Sequence, residues 1–432
     1  MKSKNPAVLS CLLFLVVTTY SAGGESRVIV RDSLGQAALQ TSCALLHCTV
    51  NEALDDSLGT LFLVTAQNGV SLQTLLAGLV NQAGVVDAEP DQTLTIAQLA
   101  PPSGLYDTTA VTYFGTTVWH GYTTQPAAQI VNVASAQGDF NVSGAGVVGI
   151  IDTGVDPTHP VLQGVLLQGR DFTRNQDGGS ELADTNQSTM AVVNGAAPVQ
   201  VNQSTMAVVN STGSAMFSQP QYAAFGHGTM VAGIVHLVAP SAQIMPLKSF
   251  HADGAGSLHD ILKAIYYARQ HGVNILNMSF DFTSNSPELA RAITYATNYG
   301  IICVASVGND GQATVVYPAG YSNVIGVAST ANDDTLSSFS NYGQPPVWLG
   351  APGEGIVTTY PYGTYAAGWG TSFSAPFVSG AAALLRNIDA SLNQSSAAQA
   401  FTNSTYISPP LGYGRLDIHQ AAAAWCATTL RC

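Results

Sequence analysis

The feature that most constrains the fold is an alternation of short apolar runs with capped helical patterns, starting near Val147. Residues 147–151, 244–247, 273–278, 301–305 and 324–327 are apolar runs bounded by Gly, Asn or Asp. They show little polar alternation, so they read as strands buried on both faces. Helices lie between them. Ser257 caps one, with Asp260 three residues on, an apolar face of Leu258, Ile261, Leu262 and Ile265, and Gly272 at its end. Ser286 caps another, with Pro287 in the first helical position and Gly300 just past the last, the usual order of start and stop signals. Strands alternating with helices predict an α/β fold in three layers, a mainly parallel sheet between helices, with functional groups at the carboxyl ends of the strands.

A smaller unit precedes it. Between Arg27 and Ala97, apolar runs at 28–30 and 61–64 alternate with a helical pattern of Leu72, Leu75, Leu76 and Leu79, which predicts a small α+β module. Pro101-Pro102-Ser103-Gly104 breaks the pattern and reads as an exposed, cleavable linker. Residues 1–23 read as a secretory signal: Lys2 and Lys4 lead, residues 7–17 are apolar, and Ser21-Ala22-Gly23 supply the small-residue cleavage zone. That apolar run is too short to span a bilayer, and no later segment offers an uninterrupted span. An exported chain permits disulfides, so the close pairs Cys43 with Cys48 and Cys426 with Cys432 are candidates, leaving Cys303 as a core thiol. The net charge of −13, with 13 basic residues in all, argues against nucleic acid or an anionic membrane as partner. The nonapeptide NQSTMAVVN occurs twice, at residues 186–194 and 202–210, within an insertion spanning 184–213. Two copies are too few for a solenoid and read as a duplicated loop or hairpin.

Three residues in Gly-containing turns could carry chemistry. Asp152 ends the first buried strand in VVGIIDTGVDPTHP. His227 lies in FGHGTMVAG, where Gly226 and Gly228 permit close chain approach before an apolar helix. Ser372 lies in GTSFSAPFVSGAAALL, after Gly370 and at the start of a helix over 373–385, where peptide dipoles favour developing negative charge. Taken singly, each has an ordinary reading: a helix-capping serine, a core or capping histidine, a strand-end carboxylate. Together they stand in the chain order Asp, His, Ser.

DTGVDPTHP, GHGTMVAG and GTSFSAP resemble the three signature segments of the subtilisin-like serine proteases, and the likeness runs over roughly residues 115–420. The resemblance implies acyl transfer: Ser372 attacks, His227 takes its proton, and Asp152 orients the imidazole. Asn309 in ICVASVGNDG matches the family's oxyanion-hole asparagine. Gly254-Ala255-Gly256, Ser279-Phe280-Asp281 and Gly308 resemble substrate-lining segments, the first offering an edge to an extended peptide. Where Asp281 stands the family has Gly, so Asp281 is expected to narrow or acidify the pocket. Residues 24–103 occupy the place of an inhibitory propeptide, with Val85-Val86-Asp87-Ala88-Glu89-Pro90-Asp91 similar to its final strand, and residues 104–432 that of the catalytic domain. The resemblance implies no cofactor for catalysis, allows structural calcium without an assignable ligand set, and makes protein or peptide substrates and the chain's own N-terminal domain its partners.

The rival readings fare worse. Asp152-Thr153-Gly154 also looks like an aspartic-protease turn, but no second such turn supplies the other carboxylate, so only a homodimer would serve. The G-x-S-x-G of an esterase and the H-E-x-x-H of a zinc protease are absent. A binding protein on a silent scaffold is the remaining alternative, and substituted catalytic positions would be its usual mark. Here all four are filled.

Overall fold

The computed structural model describes residues 26–55, 58–67, 69–91, 102–185, 199–201, 206–209 and 220–430. The expected signal sequence, residues 92–101 ahead of the larger unit, and the first nonapeptide copy lie outside the described residues.

The N-terminal module contains β1 (Arg27–Asp32), α1 (Gln36–Leu46), β2 (Cys48–Ala53), β3 (Leu61–Ala66), α2 (Leu72–Leu79) and β4 (Val85–Pro90). Its four strands form a sheet in the order β2-β3-β1-β4, with every pair antiparallel. Successive side chains on a strand point to opposite faces. Val28, Val30, Phe62 and Val64 therefore pack on Leu39, Leu75 and Leu79 of α1 and α2. Ile29, Leu61 and Leu63 point the other way and share a core with Leu258, Ile261, Leu289 and Ile293 of the larger unit. A sheet apolar on both faces needs cover on both, which explains why the module docks. A Cys43–Cys48 disulfide joins the end of α1 to β2. The helix α1 has no side-chain cap and begins after Gly35, so its start carries none of the usual polar signals.

The larger unit opens with a turn of 3-10 helix at Ser103–Tyr106, so the second half of the expected linker is folded, with Leu105 buried. Next come the hairpin β5 (Ala110–Tyr113) and β6 (Thr116–Trp119), and the short helices α3 (His120–Thr123), α4 (Pro126–Ile130) and α5 (Val133–Asp139). The central elements are β7 (Val147–Asp152), β8 (Arg170–Asp171), β9 (Gln176–Asp177), β10 (Val199–Val201), β11 (Met206–Val209), α6 (His227–Val238), β12 (Gln243–Lys248), α7 (Leu258–Gln270), β13 (Ile275–Met278), α8 (Pro287–Asn298), β14 (Ile302–Ser306), β15 (Ile325–Thr330) and β16 (Leu349–Pro352). A second hairpin, β17 (Ile356–Tyr360) and β18 (Thr364–Gly368), leads into α9 (Thr371–Ile388), then α10 (Gln394–Ala400) and α11 (Ile418–Thr429).

Eight strands form the main sheet in the order β16-β15-β14-β13-β7-β12-β8-β9, parallel except for the outermost β8–β9 pair. Ile150, Ile275 and Val304 face a core with α6 and α9, while Ile151, Leu276 and Cys303 face α7 and α8. The expected three-layer α/β fold is what forms. Its helix ends follow the sequence signals: the Ser257 and Ser286 hydroxyls accept the N–H groups of Asp260 and Leu289. Within the insertion, β10 and β11 pair antiparallel, and β11 continues onto β18. Cys303 is a buried free thiol, pushed up to about 12 by burial and so unreactive. Cys426 is disulfide-bonded, and Cys432 lies outside the described residues. Among the described residues no helix is long and apolar enough to cross a membrane.

Candidate active site

The strand order fixes where a site can form. Strands after β7 are added on both of its sides, β12 on one and β13 on the other, so the order reverses at β7 and leaves a crevice beyond its carboxyl end. Asp152 is the last residue of β7. The N–H groups of Ser249 and Phe250 both donate to its backbone carbonyl (2.9 and 3.2 Å), which ties the strand end to β12. Across the crevice His227 opens α6. A Cβ on Gly228 would overlap the Gly154 carbonyl, so this glycine is what allows the helix to approach the turn after Asp152.

Asp152 Oδ1 lies 2.7 Å from His227 Nδ1, both side chains being buried. A carboxylate facing Nδ1 selects the tautomer with the proton there, leaving Nε2 as the basic nitrogen. Buried Nε2 has no hydrogen-bond partner among the described groups. Ser372 sits in the first turn of α9 and is bonded twice to Ser279: its hydroxyl donates to the Ser279 carbonyl (3.1 Å), and the Ser279 hydroxyl donates to the Ser372 carbonyl (2.8 Å). Ser279 itself lines a small cleft with Asp152, Thr153, His227, Phe250 and Phe280. The ring of His227 lies 5.4 Å from that of Phe373, centroid to centroid. Asp152 and His227 thus line this cleft from β7 and α6, and Ser372 on α9 is joined to it through its two bonds to Ser279.

Asn309 follows β14. Its Oδ1 accepts the Thr371 N–H (2.8 Å) and the Thr371 hydroxyl (3.1 Å), which commits the oxygen and leaves the amide NH2 as a donor beside Ser372. Buried Asn341 holds this loop: it donates its N–H to the Gly308 carbonyl and accepts the N–H groups of Asp310 and Gln312. Gly308 has φ 91°, and a Cβ there would stand 2.5 Å from Asn341 Nδ2 and 3.3 Å from the Asp281 carboxyl. Asp281 is therefore wedged between the ends of β13 and β14. Burial, with repulsion from Asp310, pushes its carboxyl up to about 7.

The stretch Gly254-Ala255-Gly256 forms a tight turn. The Ala255 carbonyl accepts the His251 N–H, and the Ala255 N–H donates to Asp253, so Ala255 already spends both backbone groups within the chain. No cluster of three or more His, Cys, Asp or Glu suited to a metal occurs among the described residues, so the calcium expectation finds no such ligand set. Three further residues contribute, two of them without any signal in the sequence. Ser279 was expected only as lining, whereas it grips Ser372 directly. Buried Glu181 and Lys248, which brace the turn after Asp152, carry no motif.

"Thermitase" of Thermoactinomyces vulgaris is 35% identical over 248 residues, covering 55% of this chain and 74% of that protein. "Thermophilic serine proteinase" of Bacillus sp. (strain AK1) is 35% identical over 240 residues, 55% of this chain but 51% of that one, so the chain spans about half of this relative's length. The crystal structure of fervidolysin from Fervidobacterium pennivorans, described as a keratinolytic enzyme related to subtilisin, superposes with a TM-score of 0.70 at 20% identity, over 94% of this chain and 62% of that one, a likeness of fold. Residues 144–420, which contain Asp152, His227, Asn309 and Ser372, match the profile of the Subtilase family, and the chain belongs to that family.

Proposed function

We propose that the chain is a secreted serine endopeptidase that cleaves proteins or peptides through an acyl-enzyme. The buried Asp152–His227 pair, with an unpartnered Nε2 in the cleft shared with Ser279, carries the reading. In the first step the Ser372 hydroxyl turns from the Ser279 carbonyl towards His227 Nε2, loses its proton there, and attacks the scissile carbonyl. Asp152 holds Nδ1–H and stabilises the imidazolium that forms. The Asn309 amide and the Ser372 N–H, at the N-terminus of α9, receive the charge on the carbonyl oxygen. His227 then protonates the leaving amine, and water releases the acyl group by the same steps. Labelling of mature protein with a serine-directed fluorophosphonate tests this: wild type should label and Ser372→Ala should not. No labelling of wild type would favour the silent binding scaffold.

Asp281 should set the preference beside the nucleophile. Its carboxyl ionises near pH 7, so above that pH it should favour a cationic substrate side chain over a neutral one. Replacing it by Gly should cost the lysine-over-leucine ratio of kcat/KM about tenfold, the scale of a hydrogen bond to a charged group. A peptide-library profile identical in both proteins would count against the assignment.

Residues 24–103 act, in this reading, as a propeptide released by cleavage in the linker. Its docking is ionic as well as apolar. Arg31 Nε donates to Glu288 (2.8 Å), Glu89 accepts the Ser286 hydroxyl (2.6 Å) and the Glu288 N–H (3.1 Å), and Glu52 pairs with Lys263 and His259. Burial, with repulsion from Glu288 and Asp87, pushes Glu89 up to about 7. Burial opposes a charge on His259, yet its bonds to Asp260 and Glu52 outweigh this and raise it. Glu89 holds an extra proton when docked, and the Glu52 share of the His259 shift acts in the same direction, so docking should weaken as pH rises from about 4.5 through about 7. The His259 hydrogen bond lowers Glu52 to about 2 despite its partial burial, so docking should also weaken as pH falls below 4.5. Size-exclusion chromatography of the cleaved protein across this range would show it, and retention that is flat with pH would refute it.

A further inference from the structure

We propose that Glu181 is a positioning residue for the Asp152–His227 pair, tying the turn after Asp152 to the helix end that presents His227. This rests on the protease reading above. Glu181 lies in a 3-10 turn, Glu181–Asp184, at the root of the insertion, and is completely buried. Its Oε2 accepts the Gly226 N–H (2.7 Å) and the Thr153 hydroxyl (3.3 Å), and its Oε1 accepts the Thr229 hydroxyl.

Both hydroxyls are relays. Thr153 Oγ1 accepts the Gly228 N–H (3.0 Å), and Thr229 Oγ1 accepts the Asp156 N–H (2.8 Å), so each has its own proton left for Glu181. One side chain therefore closes a ring of bonds between residues 153–156 and residues 226–229. Thr153 adjoins Asp152 in the chain, and Gly226 and Gly228 flank His227. The relative placement of the two catalytic groups thus passes through Glu181. Lys248 braces the same turn from the other side: its buried Nζ donates to the Thr153 carbonyl (2.8 Å), the Phe250 carbonyl (2.6 Å) and Asp184 Oδ2 (2.7 Å).

The bonding pattern gives the ring a proton dependence. All three partners donate, so the ionised carboxylate satisfies them together, whereas the protonated acid must turn one oxygen into a donor. Burial pushes Glu181 up to about 8 against the pull of Thr229 and Gly226, with Asp156 raising it further and Lys248 lowering it. The phenols of Tyr360 and Tyr362 also face it, and their own ionisation is raised above the ordinary value. The ring should therefore be tightest above pH 8.

The test measures kcat and KM per active site, counted by fluorophosphonate titration, on a peptide chosen by library profiling. Wild type, Ser372→Ala, Glu181→Ala and Glu181→Gln are compared from pH 6 to 10. Glu181→Ala should lose about 10- to 100-fold in kcat with KM within about twofold, the cost of misplacing a catalytic group by a fraction of an ångström to 1 Å. Glu181→Gln, which can still accept from Gly226, should recover most of that loss but lack the rise in kcat through about pH 8 that wild type shows. Wild-type kcat per site in Glu181→Ala would overturn the positioning role while leaving the protease reading intact. Wild type as inert as Ser372→Ala would sink both. If Glu181→Ala does not fold, Glu181→Gln decides: loss of the alkaline rise supports the role, and an unchanged profile overturns it.

Discussion

Ser372→Ala and His227→Ala should each lower kcat by about 10⁶-fold, and the double variant should be no slower than either single one, on the scale set by subtilisin, a member of the same family. The non-additivity follows from the geometry. The hydroxyl of Ser372 is a weak nucleophile unless Nε2 of His227 removes its proton, so deleting either group abolishes one shared step. What should survive is the stabilisation that needs neither residue's side chain: the Asn309 amide, held by Thr371, and the peptide dipoles at the start of α9. Residual turnover of about 10³- to 10⁴-fold over water is the expected remainder. KM should move little, because neither side chain is expected to hold the remote parts of a substrate. Single-turnover kinetics on folded protein would check this. Losses that multiply in the double variant would mean that the two residues act in separate steps.

Much of the fold and of the candidate site is legible in the sequence, and the reasons are local. Residues 147–151 and 301–305 are apolar without alternation because both faces of the sheet are covered. Ser257 and Ser286 announce their helices because the first N–H groups of a helix have no partner within it and need a side-chain acceptor. Asp152, His227 and Ser372 are readable because glycines around them permit sharp turns at element ends, and their order is diagnostic. What stayed hidden is carried by long-range packing. The start of α1 has only Gly35 before it, and nothing in the sequence pairs β17 with β18. Glu181 is one acidic residue at the root of the insertion, and its partners lie 28 to 48 residues away. Burial creates its role, and burial is not written in a motif. Asp281 stands out because it departs from a pattern, but what raises its carboxyl is burial first and repulsion from Asp310 second, and neither is written in the local sequence.

Asp152→Asn should lower kcat by about 10⁴-fold with KM nearly unchanged, and the cause should be the wrong tautomer rather than a lost fold. Asp152 Oδ1 accepts two hydrogens, from His227 Nδ1 at 2.7 Å and from the Thr153 N–H at 2.7 Å. Both bonds end on one oxygen, so an asparagine that presents its NH2 to the ring gives up the Thr153 N–H bond, and the turn is then held by the bonds of Thr153 to Glu181 and Lys248. The NH2 group of that asparagine can only donate, which requires Nδ1 to become the acceptor and moves the proton to Nε2. The nitrogen that should receive the Ser372 proton then already carries one. The charge balance changes as well, because the imidazolium formed during attack loses the buried carboxylate beside it. Fluorophosphonate labelling should slow in proportion to kcat, since both reactions need the activated hydroxyl, while thermal unfolding stays close to wild type. The imidazole protons give a direct reading: the Nδ1–H resonance of wild type should be absent in the variant and an Nε2–H should appear. A fall in kcat below about tenfold, with the Nδ1–H resonance retained, would show that Asp152 does not set the tautomer.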